Sequence, residues 1–158
     1  MDLTSLQQHC RGAMAQPGDP AYPSMVQGNL WNQLLPDRWP DLVVQVQDDQ
    51  DVIAVLRFAR EQGRKVVVRG GGHHWCQPTL RRGGILIDLA CLNQVLRIDA
   101  ATRTAIVQPV VSNRELLAAL DPHGLAFPSG HCPQVKVSGY LLGGGMAWNQ
   151  GVWGAGTE

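Results

Sequence analysis

Hydrophobic residues recur along this chain with two different periods. LVVQV (42–46) is short and almost wholly apolar, which predicts a strand. In DDQDVIAVLRFAREQG (48–63), Val52, Val55, Leu56 and Ala59 return at helical spacing, so a helix is predicted with that stripe turned inward. Asp48 or Asp49 is placed to cap its N-terminus, and Gly63 to end it. KVVVRG (65–70) is short and apolar enough for a second, buried strand, and GILIDLA (84–90) for a third. VLRID (95–99) and TAIVQP (104–109) flank a turn at 100–103 and predict a strand pair. Ser112, with Glu115 three residues on, makes a capping box at the head of a helix over 113–120, which His123-Gly124 ends.

The two ends lack such a period. Residues 1 to about 40 are rich in Pro, Gly and Gln and read as a loose N-terminal arm with room for one short helix; the arm is bounded at 1–35 and the domain at 36–158. Beyond Gly124 the chain is Gly-rich and loop-like. The closing GGGMAWNQGVWGAGTE leaves Trp148 and Trp153 with no element to bury against, so a truncated chain is expected. Strands alternating with helices point to an α/β or α+β domain.

Composition narrows the classes. With 158 residues, 44% of them apolar, the chain can build one real core and is not a disordered segment. Thirteen basic residues balance thirteen acidic ones, which leaves no electrostatic footprint for nucleic acid or an anionic membrane. Eleven of the basic residues are Arg, suited to local phosphate contacts. No stretch has the length of a membrane span or the pattern of a leader peptide, so a cytoplasmic location is the expectation. Cys10, Cys76, Cys91 and Cys132 do not form a disulfide framework, and no CxxC occurs.

Candidate chemistry concentrates in RGGGHHWCQ (69–77) and GHCPQ (130–134). Three successive glycines permit positive φ and can present backbone N–H groups as a concave nest for a phosphate. Their place just after a strand is the sheet edge where ligands bind in α/β folds. The run is not a GxGxxG fingerprint opening a long helix, and by itself it equally reads as a tight turn beside a His. Zinc is a second reading, with His73, His74, Cys76, His131 and Cys132 as ligands, but adjacent His-His and His-Cys pairs diverge and lack structural-zinc spacing. Nucleophilic catalysis by Cys132 is a third; adjacent His131 is poorly placed in sequence to act as its base, and no acidic partner stands nearby.

The ordered set of segments resembles a known family. PDLVVQVQDDQDVIAVLRFAREQGRKVVVRGGGHHW looks like the start of the FAD-binding domain of the p-cresol methylhydroxylase/vanillyl-alcohol oxidase superfamily. FPSGHCPQVKVSGYLLGGGMAWNQGVWG is similar to the second flavin segment of its berberine-bridge-enzyme-like branch, and GGILIDLACLNQVLRIDAATRTAIVQP fits the strands between. Trp31-Asn32 resembles the motif preceding the domain. The resemblance implies an α+β FAD-binding domain of the p-cresol methylhydroxylase type, incomplete at its C-terminus, with the substrate domain absent. It implies FAD as cofactor, a small-molecule substrate, and molecular oxygen or another electron acceptor.

The resemblance also implies roles. Arg69, Gly70, Gly71 and Gly72 become the pyrophosphate cradle, and His73 the residue bonded to the flavin 8α-methyl. His74 falls one place later, where the family has a small polar residue, and is a candidate bystander beside the cofactor. Cys132 falls on the position bonded to flavin C6. Pro128, Gly130, Val137, Ser138, Gly139, Gly143, Gly144 and Gly145 fall in the segment along the cofactor. The residue types suit this chemistry: a neutral imidazole can attack an activated 8α-methyl, and a thiolate the electron-poor C6. The redox step, hydride transfer to flavin N5, is the cofactor's own.

Several positions depart from the family pattern: Val110 where Pro-Gly is frequent, Gly28-Asn29 where an Arg often precedes Trp-Asn, and Ala147 where Gly is common. The resemblance leaves the catalytic base unassigned, since relatives often supply it as a Tyr or Glu from parts beyond this segment. Cys10 is read as an ordinary thiol, Cys76 as structural, Cys91 as core, Trp148 and Trp153 as packing residues, and His9 and His123 as surface residues.

Overall fold

The computed structural model describes residues 2–28, 30–32 and 35–157, so the Asn29 departure lies outside the described residues. The chain folds as two compact units, one ending at Cys91 and one beginning at Leu92. Helices and strands combine in both, as the expected α+β class requires.

The first unit is built on a four-stranded sheet in the order β1-β2-β4-β3. Its strands are β1 (Ala13–Ala15), β2 (Leu42–Gln45), β3 (Val66–Arg69) and β4 (Ile85–Asp88). β2, β4 and β3 run parallel, while β1 pairs antiparallel with β2. Registry sets Ala15, Val43, Leu86 and Val67 in one row across the sheet. Helix α2 (Tyr22–Gln27) covers that row through Tyr22, Met25 and Val26, with Leu30 and Leu80 completing the cluster. α1 (Thr4–His9) packs on α3 (Asp49–Glu61), which in turn touches β4.

The described residues up to 35 therefore include packed elements rather than a loose arm alone. Leu6, Ala15, Tyr22 and Val26 are all buried, and β1 extends the sheet. The Asp51 carboxylate helps tie this segment down. Asp51 is 1% exposed, and its two oxygens accept the backbone N–H groups of Arg11 and Gln47, each at 2.8 Å. A buried carboxylate is stable only with such partners. Beside it, burial pushes the Cys10 thiol pKa up.

Two expectations about this unit need correcting. On α3 the buried face is Asp51, Val55, Phe58 and Ala59, while Leu56 is 47% exposed, so the inward stripe is rotated from the expected one. Asp48 does cap the helix, accepting the Asp51 N–H at 3.0 Å. β3 is an edge strand rather than a buried one, and Val68 is 49% exposed. The strand buried throughout is β4, between β2 and β3.

The second unit carries the hairpin β5 (Val95–Asp99) and β6 (Thr104–Val107), then α4 (Asn113–Leu120). The capping box is complete: Ser112 Oγ accepts the Glu115 N–H, and Glu115 Oε2 accepts the Ser112 N–H at 2.7 Å. A one-turn 3₁₀ segment follows, ended by left-handed Gly124. The expected loop-like tail instead contains two short helices, α5 (Val137–Leu142) and α6 (Gln150–Trp153).

The capping box makes a pH-dependent prediction. Hydrogen bonds from Ser112 hold the Glu115 carboxyl below its ordinary pKa. Its contribution is complete above the unfolded value of about 4.3 and is lost as pH falls through the lower folded value. Ser112→Ala is expected to lower stability by about 1 kcal/mol near neutral pH. That cost should shrink once Glu115 is protonated, a trend that urea unfolding at a series of pH values would check.

Candidate functional site

The glycine loop leaves β3, the last strand of the sheet, at Arg69. Among the described residues, the N–H groups of Gly70, Gly71, Gly72 and His73 have no hydrogen-bond acceptor, although all four residues are half-buried. Only Gly72 of the three glycines uses the left-handed region, at φ 63°. Four successive unpaired amides beside a left-handed Gly are the kind of donor run that takes a phosphate. This run fits a pyrophosphate.

The Arg69 side chain turns away from that run of amides. Its side chain is fully buried and points back under the sheet. Nη2 meets Asp88 Oδ2 and the Met25 carbonyl, each at 2.6 Å, and Nη1 meets the Val26 carbonyl at 2.5 Å. The guanidinium bonds the end of α2 to β4 through both Nη atoms, while its buried Nε has no partner among the described residues. Strand alternation explains the direction: Arg69 shares the face of Val67, which is the face α2 covers.

His73 lies with one face against an aromatic ring. Its imidazole stacks on Trp31 with ring centroids 4.9 Å apart and planes 16° apart. Trp75 meets the same indole edge-on at 4.8 Å. Asn32 donates to the Trp75 carbonyl at 2.7 Å and accepts from Gln77 Nε2 at 2.5 Å, and Arg38 donates to the Cys76 carbonyl at 2.9 Å. Gln77 is buried at φ 46°, a conformation that a non-Gly residue keeps only when its surroundings enforce it. His74 is exposed, and its Nδ1 accepts the Cys76 N–H at 3.1 Å, so it shapes the turn. The Cys76 residue is exposed rather than packed, and Cys91 is half-buried with Gln47 Nε2 at 3.5 Å from its sulfur. His9 and His123 are exposed, as expected.

In the second unit, the 130–135 loop lies against the N-terminus of α4. Asn113 and Arg114 donate to the carbonyls of Val135 and Pro133 at 2.9 and 3.0 Å. Cys132 is half-buried, with Sγ 3.5 Å from His131 Nδ1, so the adjacent His does reach the thiol. His131 in turn lies 4.9 Å from the Trp148 ring. Trp148 is 77% exposed and Trp153 54%, so neither is the packing residue expected.

Tyr140, absent from the expected site residues, organises this region. Its buried hydroxyl lies within hydrogen-bond reach of the Pro128 carbonyl and, at 2.6 Å, of the Gly145 carbonyl. Its ring lies 3.1 Å from where a side chain on Gly130 would begin. Burial raises its pKa, so it stays a neutral donor. Val137 is buried, Ser138 half-buried and Gly139 exposed along α5. Gly143, Gly144 and Gly145 do not form a second nest. Their amides bond the carbonyls of Gly139, Leu141 and Tyr140 and close the helix in a Schellman turn. Val110 uses its N–H on the Leu92 carbonyl and is buried, as is Ala147.

Comparison with known proteins places the domain. Residues 40–158 match the FAD binding domain family. The chain is 31% identical over 140 residues to the FAD-linked oxidoreductase pynB of Aspergillus niger, a match covering 89% of this chain and 26% of that one. It is 34% identical over 129 residues to the FAD-linked oxidoreductase hasG of Aspergillus fumigatus, covering 82% and 27%. Among solved structures, 6-hydroxy-D-nicotine oxidase from Arthrobacter nicotinovorans superposes with a TM-score of 0.85 at 27% identity, over 99% of this chain and 33% of that one. A Physcomitrella patens BBE-like protein gives 0.85, 27%, 99% and 34%. The chain thus spans about a quarter to a third of the proteins it matches. With an FAD binding domain match over most of its length, the chain belongs to the FAD binding domain family, of the p-cresol methylhydroxylase type.

Proposed function

We propose that this chain supplies the flavin-holding part of an oxidase or dehydrogenase that oxidises a small organic substrate by hydride transfer to flavin N5. FAD is held by two covalent bonds, His73 to the 8α-methyl and Cys132 to C6, and molecular oxygen or another acceptor takes up the electrons. The observation that carries the reading is the run of four unpaired amides ending at the His73 imidazole. Gly70 to His73 bind the pyrophosphate through backbone N–H groups, and no side chain is needed there. His73 then follows the last of those amides directly, which suits a tether beside the cradle. In the second unit, His131 Nδ1 lies close enough to take the proton from Cys132 Sγ, leaving the nucleophilic thiolate. Tyr140 fixes the backbone on either side of that segment.

A second reading, a flavin-binding piece with no turnover of its own, is favoured by one observation. Leu142, Met146 and Val152 are 78–91% exposed, an apolar surface that nothing in this unit covers. Both readings share the covalent test. His73→Ala and Cys132→Ala are each expected to leave one covalent flavin bond, and the double variant none, read as flavin mass retained on denatured protein. Flavin-free denatured protein from the unaltered chain would overturn the tethers. A flavin spectrum without turnover of sugars or alcohols would select the second reading.

A further inference from the structure

We infer that Trp31 is the positioning residue that orients His73 for its bond to the cofactor, an inference that rests on the His73 tether proposed above. An imidazole at a loop tip can rotate about two side-chain bonds, and an attacking nitrogen is productive only over a narrow range of directions. The Trp31 indole covers one face of the ring at 4.9 Å and 16°. Coverage of that face fixes the plane of the imidazole and leaves its nitrogen-bearing edge open.

The platform is itself held. Trp75 buttresses it edge-on at 4.8 Å. The Asn32 amide spans the Trp75 carbonyl and the buried Gln77 amide, at 2.7 and 2.5 Å. The segment after His73 therefore folds back on Trp31-Asn32 and grips it. Trp31 remains 42% exposed, so it is not a core residue whose loss would empty the interior.

The stack also suits the bond-forming step. One imidazole nitrogen supplies the electron pair of the new N–C bond, and the ring is cationic until its N–H proton leaves to water. The methyl carbon loses one hydrogen as a proton. The two electrons remaining pass through the flavin to molecular oxygen or another two-electron acceptor. A transient positive charge on the imidazole is attracted by the indole face beneath it.

The test uses the full protein in a Cys132→Ala background, where any covalent flavin is on His73, with His73→Ala added as the zero-bond control. Flavin-free protein is mixed with FAD, and the flavin retained after denaturation is followed in time. Trp31→Ala is expected to slow bond formation roughly 10- to 100-fold, with the affinity for FAD before bonding unchanged. Trp31→Phe, which keeps a flat ring, should restore the rate to within about threefold of the parent. Bonding at the parent rate in Trp31→Ala would overturn the inference, as would a Phe variant as slow as Ala. A Cys132→Ala parent that binds FAD but never bonds it would instead overturn the His73 tether, and this inference with it.

Discussion

Arg69→Met is expected to destabilise the protein by about 3–5 kcal/mol, the usual cost of removing one partner from a buried ion pair. The side chains of Arg69 and Asp88 are 0% and 4% exposed, so bulk water does not solvate the carboxylate. Asp88 would be left charged between β2 and β3, with only the Ala90 N–H, at 3.0 Å, still bonding its carboxylate. The carbonyls of Met25 and Val26 would lose their donors at the same time. A second substitution should recover part of the loss: Asp88→Asn on top of Arg69→Met removes the stranded charge, so the double variant is expected to be more stable than Arg69→Met alone. Urea unfolding of the four proteins measures both quantities. The result also separates two roles for Arg69. A residue of the pyrophosphate cradle would weaken FAD binding on substitution and leave unfolding nearly unchanged; a brace does the reverse in the flavin-free protein.

Arg69 shows where sequence reading succeeds and where it stops. KVVVRG announces its strand by composition, and the glycines after it announce a loop at the strand's C-terminal end. Alternation puts Arg69 on the side of Val67, but which side is covered depends on α2. That helix is six residues long and follows Pro and Gly in a segment without apolar period, so nothing local marks it as structured. Its stability comes from packing on the sheet row of Ala15, Val43 and Leu86, a tertiary effect that short helices depend on. The same cause turned the α3 face. Val52 and Leu56 fit a helical stripe as well as Phe58 does, and the Asp51 bonds to Arg11 and Gln47 decide which side faces in. The signals that carried over intact are local ones: the Ser112–Glu115 box, the Asp48 cap and the hairpin turn.

For the site, three successive glycines made the loop after β3 legible, but not its unpaired amides, since the glycines at 143–145 have theirs bonded. The stack of Trp31 on His73 was not legible, since 42 positions separate the two and no spacing rule joins them. Gln77 carried no signal either, because its positive φ is imposed by Asn32 and Arg38 rather than by its own type. The His131–Cys132 contact ran against the rule that adjacent side chains diverge. Cys132 opens a turn closed by the Val135 N–H to its carbonyl, and the Sγ lies 3.5 Å from the His131 ring.

The three glycines at 143–145 look interchangeable in sequence, yet their Ala variants are expected to differ several-fold in cost. Gly143 has φ −86°, an ordinary value, and an added methyl would sit 3.0 Å from the Gly139 carbonyl, a tight contact. Its Ala variant should lose at most about 1 kcal/mol, offset in part by the lower entropy of the unfolded chain. Gly144 has φ 104° with open space around it, so its variant meets backbone strain alone, about 1–3 kcal/mol. Gly145 combines both penalties. Its φ is 64°, and a methyl would lie 2.9 Å from the amide nitrogens of Gly156 and Thr157, which are backbone and cannot swing aside. Left-handed strain of about 1–2 kcal/mol and overpacking of about 1–3 kcal/mol together give roughly 2–5 kcal/mol. Relief would require moving the Gly145 carbonyl, which accepts from Tyr140 and from the Gly156 N–H at 2.8 Å. Tyr140 would then lose one of the two anchors through which it also fixes Pro128, so Gly145→Ala should disturb the segment leading to Cys132 as well. Thermal unfolding of the three variants should rank them Gly145 worst, Gly144 next and Gly143 least. A Gly143→Ala variant less stable than Gly145→Ala would mean that crowding at the helix end, and not the left-handed turn, sets the need for glycine in this run.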